Sequence, residues 1–463
     1  MLLDTPTLKT MDLVLKAFAA FLFGSIMVYA AQTRHQTYKG WQTLRLCNGI
    51  IEVRIAPDLG GRVIQCSLGS HDYLWVNPDL AGKVPPPSGL GVNGEWLNYG
   101  GDKLWPAPQG WDGPDQWPGP PDAILDGGPY EATVPEGRGR EASVELVSGK
   151  DPYTGIQFSR TITVPDGSSR VLFHTIMTNV DTKPRRWGIW SVTQLDASSR
   201  SGEGYNPDYR GYIPVNPQSR LPNGYVVLFG DKNNPQFTLD PNHNLLHIHY
   251  ERKVGKVGLD SHAGWVANVD GTSGYVFVQA FHFQPGREYP DGSSVEYWTN
   301  GLGKIFAWRK EIEMSPSPSE TPFFIETELL SPLESLQPGQ SASFDYEWRL
   351  TRIGGSFPIL ECTAAGCTAE AFACKRTGNG TLALSGRFGV FYSGVARVRM
   401  LDADNNQLSG TGPVKVSPGL PLVMQTDFPN VSAPASARMI ELIIYDGQGR
   451  AIDRLARCAI TNN

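Results

Sequence analysis

Between residues 45 and 350 the chain alternates short runs of apolar and β-branched residues with turn signals. Examples are Ile50-Ile-Glu-Val-Arg-Ile55, Ser143-Val-Glu-Leu-Val147, Val171-Leu-Phe-His-Thr-Ile-Met-Thr178, Gly274-Tyr-Val-Phe-Val-Gln-Ala-Phe-His-Phe283 and Pro322-Phe-Phe-Ile-Glu-Thr-Glu-Leu-Leu330. Each has the length and composition of a strand, and no convincing 3.6-residue periodicity interrupts them. With 51 Gly and 36 Pro as punctuation, the pattern predicts an all-β fold: one large antiparallel sandwich over residues 45–352. A boundary is expected at Arg352-Ile-Gly-Gly-Ser-Phe-Pro358, where a strand ends in a glycine pair. Runs such as Val395-Ala-Arg-Val-Arg-Met-Leu401 and Met439-Ile-Glu-Leu-Ile-Ile-Tyr445, with turns at Asp404-Asn-Asn and Asp446-Gly-Gln-Gly, predict a second, small Ig-like β-sandwich over residues 358–463.

Alternation along the strands nominates a site. In Phe324-Ile-Glu-Thr-Glu-Leu-Leu330, Glu326 and Glu328 share one face, because successive side chains point to opposite sides of a strand. Two carboxylates held side by side favour keeping one proton, which suits a general acid or base; a solvated outer face would carry the same pattern. In Ser294-Val-Glu-Tyr-Trp-Thr-Asn300, Glu296, Trp298 and Asn300 fall together, and in Trp187-Gly-Ile-Trp-Ser-Val-Thr-Gln194, Trp190 and Gln194 do. Three such strands predict one broad sheet with a polar, aromatic, ligand-facing side.

The stretch from Trp96 to Tyr130 adds Trp96, Asn98, Asp102, Lys103, Trp105, Trp111 and Trp117 among glycines and prolines. Aromatic faces that stack on the C–H faces of pyranose rings, together with amides, a carboxylate and a lysine for the hydroxyls, make a sugar-binding surface. The plainer alternative is a surface loop whose tryptophans bury themselves.

Composition narrows the class. The net charge is −6 over 463 residues, and no basic run suggests nucleic acid. Lys9 and Lys16 precede an apolar run ending Tyr29-Ala-Ala31; at roughly fifteen residues it is shorter than the roughly twenty that span a bilayer. We therefore expect residues 1–31 to be a signal peptide, leaving a bacterial secreted or periplasmic protein with no membrane attachment. Cys47 and Cys66 in the first region and Cys362, Cys367, Cys374 and Cys458 in the last hundred residues suggest one disulfide in the former and two in the latter.

Leu59-Gly-Gly-Arg-Val-Ile64, Tyr99-Gly-Gly-Asp-Lys-Leu-Trp-Pro-Ala-Pro108 and Ile325-Glu-Thr-Glu-Leu-Leu-Ser-Pro332 with Leu336-Gln-Pro-Gly-Gln340 resemble the galactose-mutarotase-like superfamily over residues 45–352, in particular an uncharacterised bacterial branch of it similar to aldose epimerases. The resemblance implies a supersandwich with a carbohydrate cleft on its concave face. It implies Glu326 as the base that takes the anomeric proton and Lys103 in place of the arginine that grips the sugar there. The histidine those epimerases use as acid has no counterpart near Trp190; His174, His243 and His282 are the histidines left to weigh. The candidate catalytic set is Glu326, Glu328 and Lys103, and the candidate sugar contacts are Arg62, Asn98, Asp102, Trp105, Trp190, Gln194, Glu296, Asn300 and His282. The expected function is a carbohydrate-active protein that takes a mono- or oligosaccharide, as a mutarotase or epimerase. A polysaccharide hydrolase or lyase and a non-catalytic carbohydrate-binding protein are the alternatives. No cofactor is expected, and whether a divalent cation bridges the carboxylates is left open.

Overall fold

The computed structural model describes residues 31–461 except 84, 85, 87, 136–138, 378, 379 and 430. The expected signal segment lies outside the described residues, apart from Ala31. The strands fall where the alternation places them: the run beginning at Val171 becomes Arg170–Asn179, the run at Gly274 becomes Tyr275–Phe281, and the double-glutamate run becomes Phe324–Leu330. Among the described residues helix is confined to Met424–Asp427 and three 3₁₀ turns, and none is long and apolar enough to cross a membrane.

Two large antiparallel sheets face each other. The first is built on ten strands: β1 (Gln32–Tyr38), β2 (Trp41–Cys47), β3 (Ile51–Ala56), β4 (Arg62–Leu68), β5 (Asp102–Ala107), β6 (Arg185–Asp196), β7 (Val226–Gly230), β8 (Gly255–Leu259), β9 (Val295–Thr299) and β10 (Phe324–Leu330). Their order in space is β1-β2-β3-β4-β5-β6-β10-β9-β8-β7. The second sheet contains, at its centre, Tyr275–Phe281, Ser341–Arg352, Arg170–Asn179 and Ile156–Pro165. The core between them includes Phe158, Ile162, Phe277, Ile325, Leu329, Trp348 and Leu350, all essentially excluded from solvent.

Polar bridges cross that core. Arg160 of the second sheet donates to Asp102 of β5 and to the Tyr346 hydroxyl, and it stacks 4.5 Å from the Phe173 ring. Asp102 also accepts from Thr193 at 2.6 Å and Ser191 at 3.2 Å. Gln279 donates to Thr193 at 2.9 Å and accepts from Thr327 at 2.8 Å. Asp102 therefore corrects the expectation that it contacts a ligand: the pleat turns it to the inter-sheet side, one residue out of step with Lys103.

Residues 361–461 form a third sheet with its own core around Leu384, Phe388, Val398, Leu442 and Ile444. It is joined to the second sheet by a shared cluster in which Ile353, Ile359 and Phe391 pack with Trp265 and Val278. All six cysteines are thiols. Cys47 lies on β2 opposite Glu52, while Cys66 lies on β4 opposite Val53. Two strand spacings separate them by roughly 10 Å, beyond the reach of a disulfide, so that expected bond is corrected. The other four gather in couples: Cys362 opposes Cys367 across paired strands, and Cys374 lies beside the strand that carries Cys458.

The Arg160–Asp102 pair generates a prediction. Arg160→Ala strands a buried carboxylate and should cost about 3–5 kcal/mol, whereas Arg160→Met combined with Asp102→Leu should recover most of that loss. Urea unfolding midpoints of the wild type and the two variants check it, and equal losses in the single and double variants would refute it.

Candidate active site

The face of the first sheet turned away from the second collects the candidate groups, and its register sets two rows. Lys256, Trp298, Glu326 and Gln194 are successive partners across β8, β9, β10 and β6. One step along, Glu296, Glu328, Val192 and Lys103 are partners across β9, β10, β6 and β5. Trp190 and Trp105 oppose each other next to them.

The loop that covers this face is held by glycines and one carboxylate. Gly60 has φ +69°, and a Cβ there would lie 1.9 Å from the Asp126 carbonyl oxygen; Gly101 has φ +73°, and a Cβ there would lie 2.4 Å from that of Val63. Only glycine permits both the backbone conformation and the close approach, which gives the two Gly-Gly motifs their physical basis. Asp126, 1% exposed, accepts from Arg62 at 2.7 Å, Trp105 Nε1 at 2.8 Å and Trp96 Nε1 at 2.7 Å. Arg62 is thus corrected from a ligand contact to a buried anchor of the loop.

Two cation–carboxylate clusters occupy the floor. Lys103 Nζ lies 3.3 Å from Glu326 Oε1, which Gln194 Nε2 also reaches at 2.8 Å. The ammonium lies 4.8 Å from the Trp105 ring centre and 6.0 Å from that of Trp96. Burial pulls the Lys103 pKa below its ordinary value, Glu326 opposing that and Arg62 adding to it. In the second cluster Lys256 Nζ binds Glu296 at 2.6 Å and Glu328 at 3.0 Å, 4.3 Å from the Trp190 ring centre. Burial works against the Lys256 charge, but the two carboxylates outweigh it and raise its pKa. Glu328 also accepts from Trp190 Nε1 at 2.7 Å. Its own pKa is pushed up to about 8, first by burial and then by the charges of Glu296 and Glu326, against the pull of Lys256. One oxygen each of Gln194, Glu296 and Glu328 finds no hydrogen-bond partner among the described residues.

Above this floor lies a cavity of about 390 Å³ bordered by Trp75, Trp96, Trp105, Trp190, Trp298, Asn98, Asn300, Lys256 and Glu326. A side compartment of about 150 Å³ shares Gln109, Trp190, Phe229 and Lys256 with it and adds Glu296. Asn300 holds the Pro322 carbonyl at 2.7 Å. Glu328, Lys103 and Gln194 lie beneath the cavity surface, each touching a group that borders it. His282 is exposed on a groove of the second sheet beside Phe281 and Trp265, and His174 and His243 lie in exposed pairs with Asp345 and Asp240. His282 is therefore corrected: it does not face this cleft. Trp117 is core, 1% exposed and donating to Asp122 at 2.9 Å. Lys256, Gln109, Trp75 and Asp126 were not singled out in the sequence; Gly255-Lys-Val-Gly-Leu259 carries too little patterning to flag its lysine.

The family model described as a domain of unknown function (DUF4380) matches residues 41–351. No curated protein matches the chain. Among solved structures it is similar to a TPR-domain containing protein from Parabacteroides distasonis (13% identity, TM-score 0.45, 72% of this chain and 56% of that one), so the chain spans a little over half of that relative. It is similar to a galactose mutarotase-like protein from Clostridium acetobutylicum (12% identity, TM-score 0.43, 70% and 99%). It is similar also to a galactose mutarotase related enzyme from Lactobacillus acidophilus (12% identity, TM-score 0.39, 68% and 100%).

Glu328 generates a prediction with a definite sign. Its folded pKa lies above that of an unfolded glutamate, so its contribution is fully present below about pH 4.5 and is lost as pH rises through about 8. Between those limits the wild type should lose stability with rising pH relative to Glu328→Gln. Chemical unfolding of both proteins at closely spaced pH values checks this, and parallel profiles would exclude a proton on Glu328.

Proposed function

The chain belongs to this DUF4380 family, and we propose that its cleft binds a saccharide and moves protons at the anomeric centre, with Glu326 as the base. The observation that carries the reading is the position of Glu326. It is the floor carboxylate that borders the tryptophan-walled cavity, the exposed Glu320 lying at the rim, and the Oε1 of Glu326 takes both protein donors. Among the described residues Oε2 has no protein hydrogen bond, so it is the atom available to accept a proton from a ligand hydroxyl.

The chemistry balances with the groups at hand. Removing the anomeric O–H proton lets its electron pair form a carbonyl while the ring C–O bond breaks. The ring oxygen then needs a proton or a cationic donor. Lys256, which borders the same cavity, sits two strands from Glu326, roughly 10 Å between Cα atoms, with Trp298 between them. It supplies the cation that a histidine would supply in the epimerases this sequence resembles. The tryptophan faces hold the ring, and Asn98 and Asn300 offer amides to its hydroxyls. No cofactor enters this scheme. The apolar run over residues 17–31 supports export to the periplasm or the exterior as part of this reading.

The test is polarimetric mutarotation of α-glucose and α-galactose with wild type and Glu326→Gln. Turnover should fall by about 10²–10⁴-fold with sugar affinity largely kept. Full activity in Glu326→Gln would remove Glu326 as the base, and no sugar binding by calorimetry in either protein would remove the carbohydrate reading.

A further inference from the structure

A two-stranded hairpin, Lys304–Ala307 paired with Lys310–Glu313, stands beside the cleft mouth. Ile305, Ala307 and Ile312 face the cavity, and its closing residues are Trp308 and Arg309. Both have positive φ, 47° and 60°. Turns of that kind favour Asn and Gly, and a bulky residue there is strained. The sequence has placed a tryptophan at a position that local backbone preferences oppose, and that tryptophan is 46% exposed.

Trp308 is the outer end of an aromatic ladder. Its ring centre is 6.0 Å from Trp111, which is 6.4 Å from Phe229, which is 6.2 Å from Trp298. Trp298 is the cross-strand partner of Glu326. Trp111 is fixed, since its Nε1 donates to the Pro118 carbonyl at 2.9 Å and its own carbonyl accepts from Arg309. Aromatic surface thus runs without a break from the Glu326 floor to a half-exposed ring at the rim of the cavity. A free monosaccharide seated against Glu326 has no use for the outer part. Trp308 contributes nothing to the core that would explain its conformation.

We propose that Trp308 and Trp111 form a second ring-stacking subsite, so that the cleft takes the end of an oligosaccharide, one ring at Glu326 and the next against the hairpin. The inference rests on the saccharide reading of the cleft and names the class of saccharide. The hairpin and the covering loop meet through the Trp111–Trp308 and Trp111–Arg309 contacts at this side of the mouth, which favours a chain end over the interior of a polymer.

The experiment is a glycan array of matched mono-, di- and trisaccharides of glucose, galactose, mannose and N-acetylglucosamine, followed by calorimetric titration of the sugars retained. For the sugar that binds, the disaccharide should bind about ten-fold more tightly than the monosaccharide, as one added stacking contact allows. Trp308→Ala should abolish that gain and leave monosaccharide affinity unchanged, and Trp308→Phe should keep most of it. Trp308→Gly, which suits the turn, should show the same loss as Trp308→Ala with no drop in melting temperature, separating a lost platform from a damaged fold. Equal affinity of wild type for mono- and disaccharide, or a gain that survives Trp308→Ala, would overturn the inference and leave the saccharide reading standing. Failure of every sugar, monosaccharides included, would overturn both.

Discussion

One buried carboxylate holds the wall of the cleft to its floor. Asp126 is almost wholly excluded from solvent and receives the Arg62 guanidinium and the indole N–H groups of Trp96 and Trp105. These donors come from β4, from the covering loop and from β5, so a single side chain fixes three separate segments. Without it the buried Arg62 guanidinium would lose its carboxylate partner, the buried Trp105 indole and the half-buried Trp96 indole would lose their acceptor, and each loss costs about as much as a lost hydrogen bond or more. The tight passage of the chain past Gly60 is what brings the Asp126 backbone close enough. The tryptophan wall is rigid for this reason, and rigidity is what a stacking platform needs to bind without a large ordering cost.

The floor beneath that wall solves a charge problem. Lys103 and Lys256 face Glu296, Glu326 and Glu328 in a space too dry to leave any of them unpaired. Three carboxylates against two ammonium groups leave one negative charge in excess, and burial, which pushes the Glu328 pKa up to about 8, favours the proton that would remove it. Each ammonium also lies over an indole face, where the ring quadrupole offsets part of its lost hydration. The consequence for chemistry is selective. Glu296 and Glu328 are committed to Lys256, while Glu326 keeps one oxygen clear toward the cavity.

Much of this was legible in the sequence because a strand has a period of two. The shared face of Glu326 and Glu328, that of Glu296 and Trp298, and that of Trp190 and Gln194 all follow from counting residues, and the register lines them up as rows. What counting could not give was which side of β5 faces the cleft. Asp102 and Lys103 are adjacent and equally polar, and only the presence of Arg160 on the opposite sheet decides that Asp102 turns inward. Arg62 and Asp126 were opaque for a related reason: their roles depend on a contact across 64 residues of chain. His282 sits at the end of an apolar strand run whose last residues fall outside the sheet, so alternation did not apply to it. The Cys47–Cys66 pairing failed because an even count says nothing of the strand that lies between them.

Where local rules and the structure disagree, the disagreement has a spatial pattern. The buried ion clusters on the floor and the positive φ of Trp308 are unfavourable choices taken one at a time, since apolar residues would pack the floor and Asn-Gly would suit the turn. Sequences that fold well usually agree with themselves at every level, and exceptions collect at functional sites. Here the floor and the hairpin tip border one cavity, joined by the aromatic ladder from Trp298 to Trp308. The polar bridges between the two sheets, by contrast, are closed onto one another through Arg160, Asp102, Thr193 and Gln279 and face no cavity. Buried polarity in this protein therefore has two distinct forms: a network that ties the sheets together and leaves Arg160 Nε unpartnered, and one with unpartnered oxygens on Gln194, Glu296 and Glu328 beside a cavity walled by tryptophan. Of the two, only the second sets its unused hydrogen-bonding atoms beside that cavity.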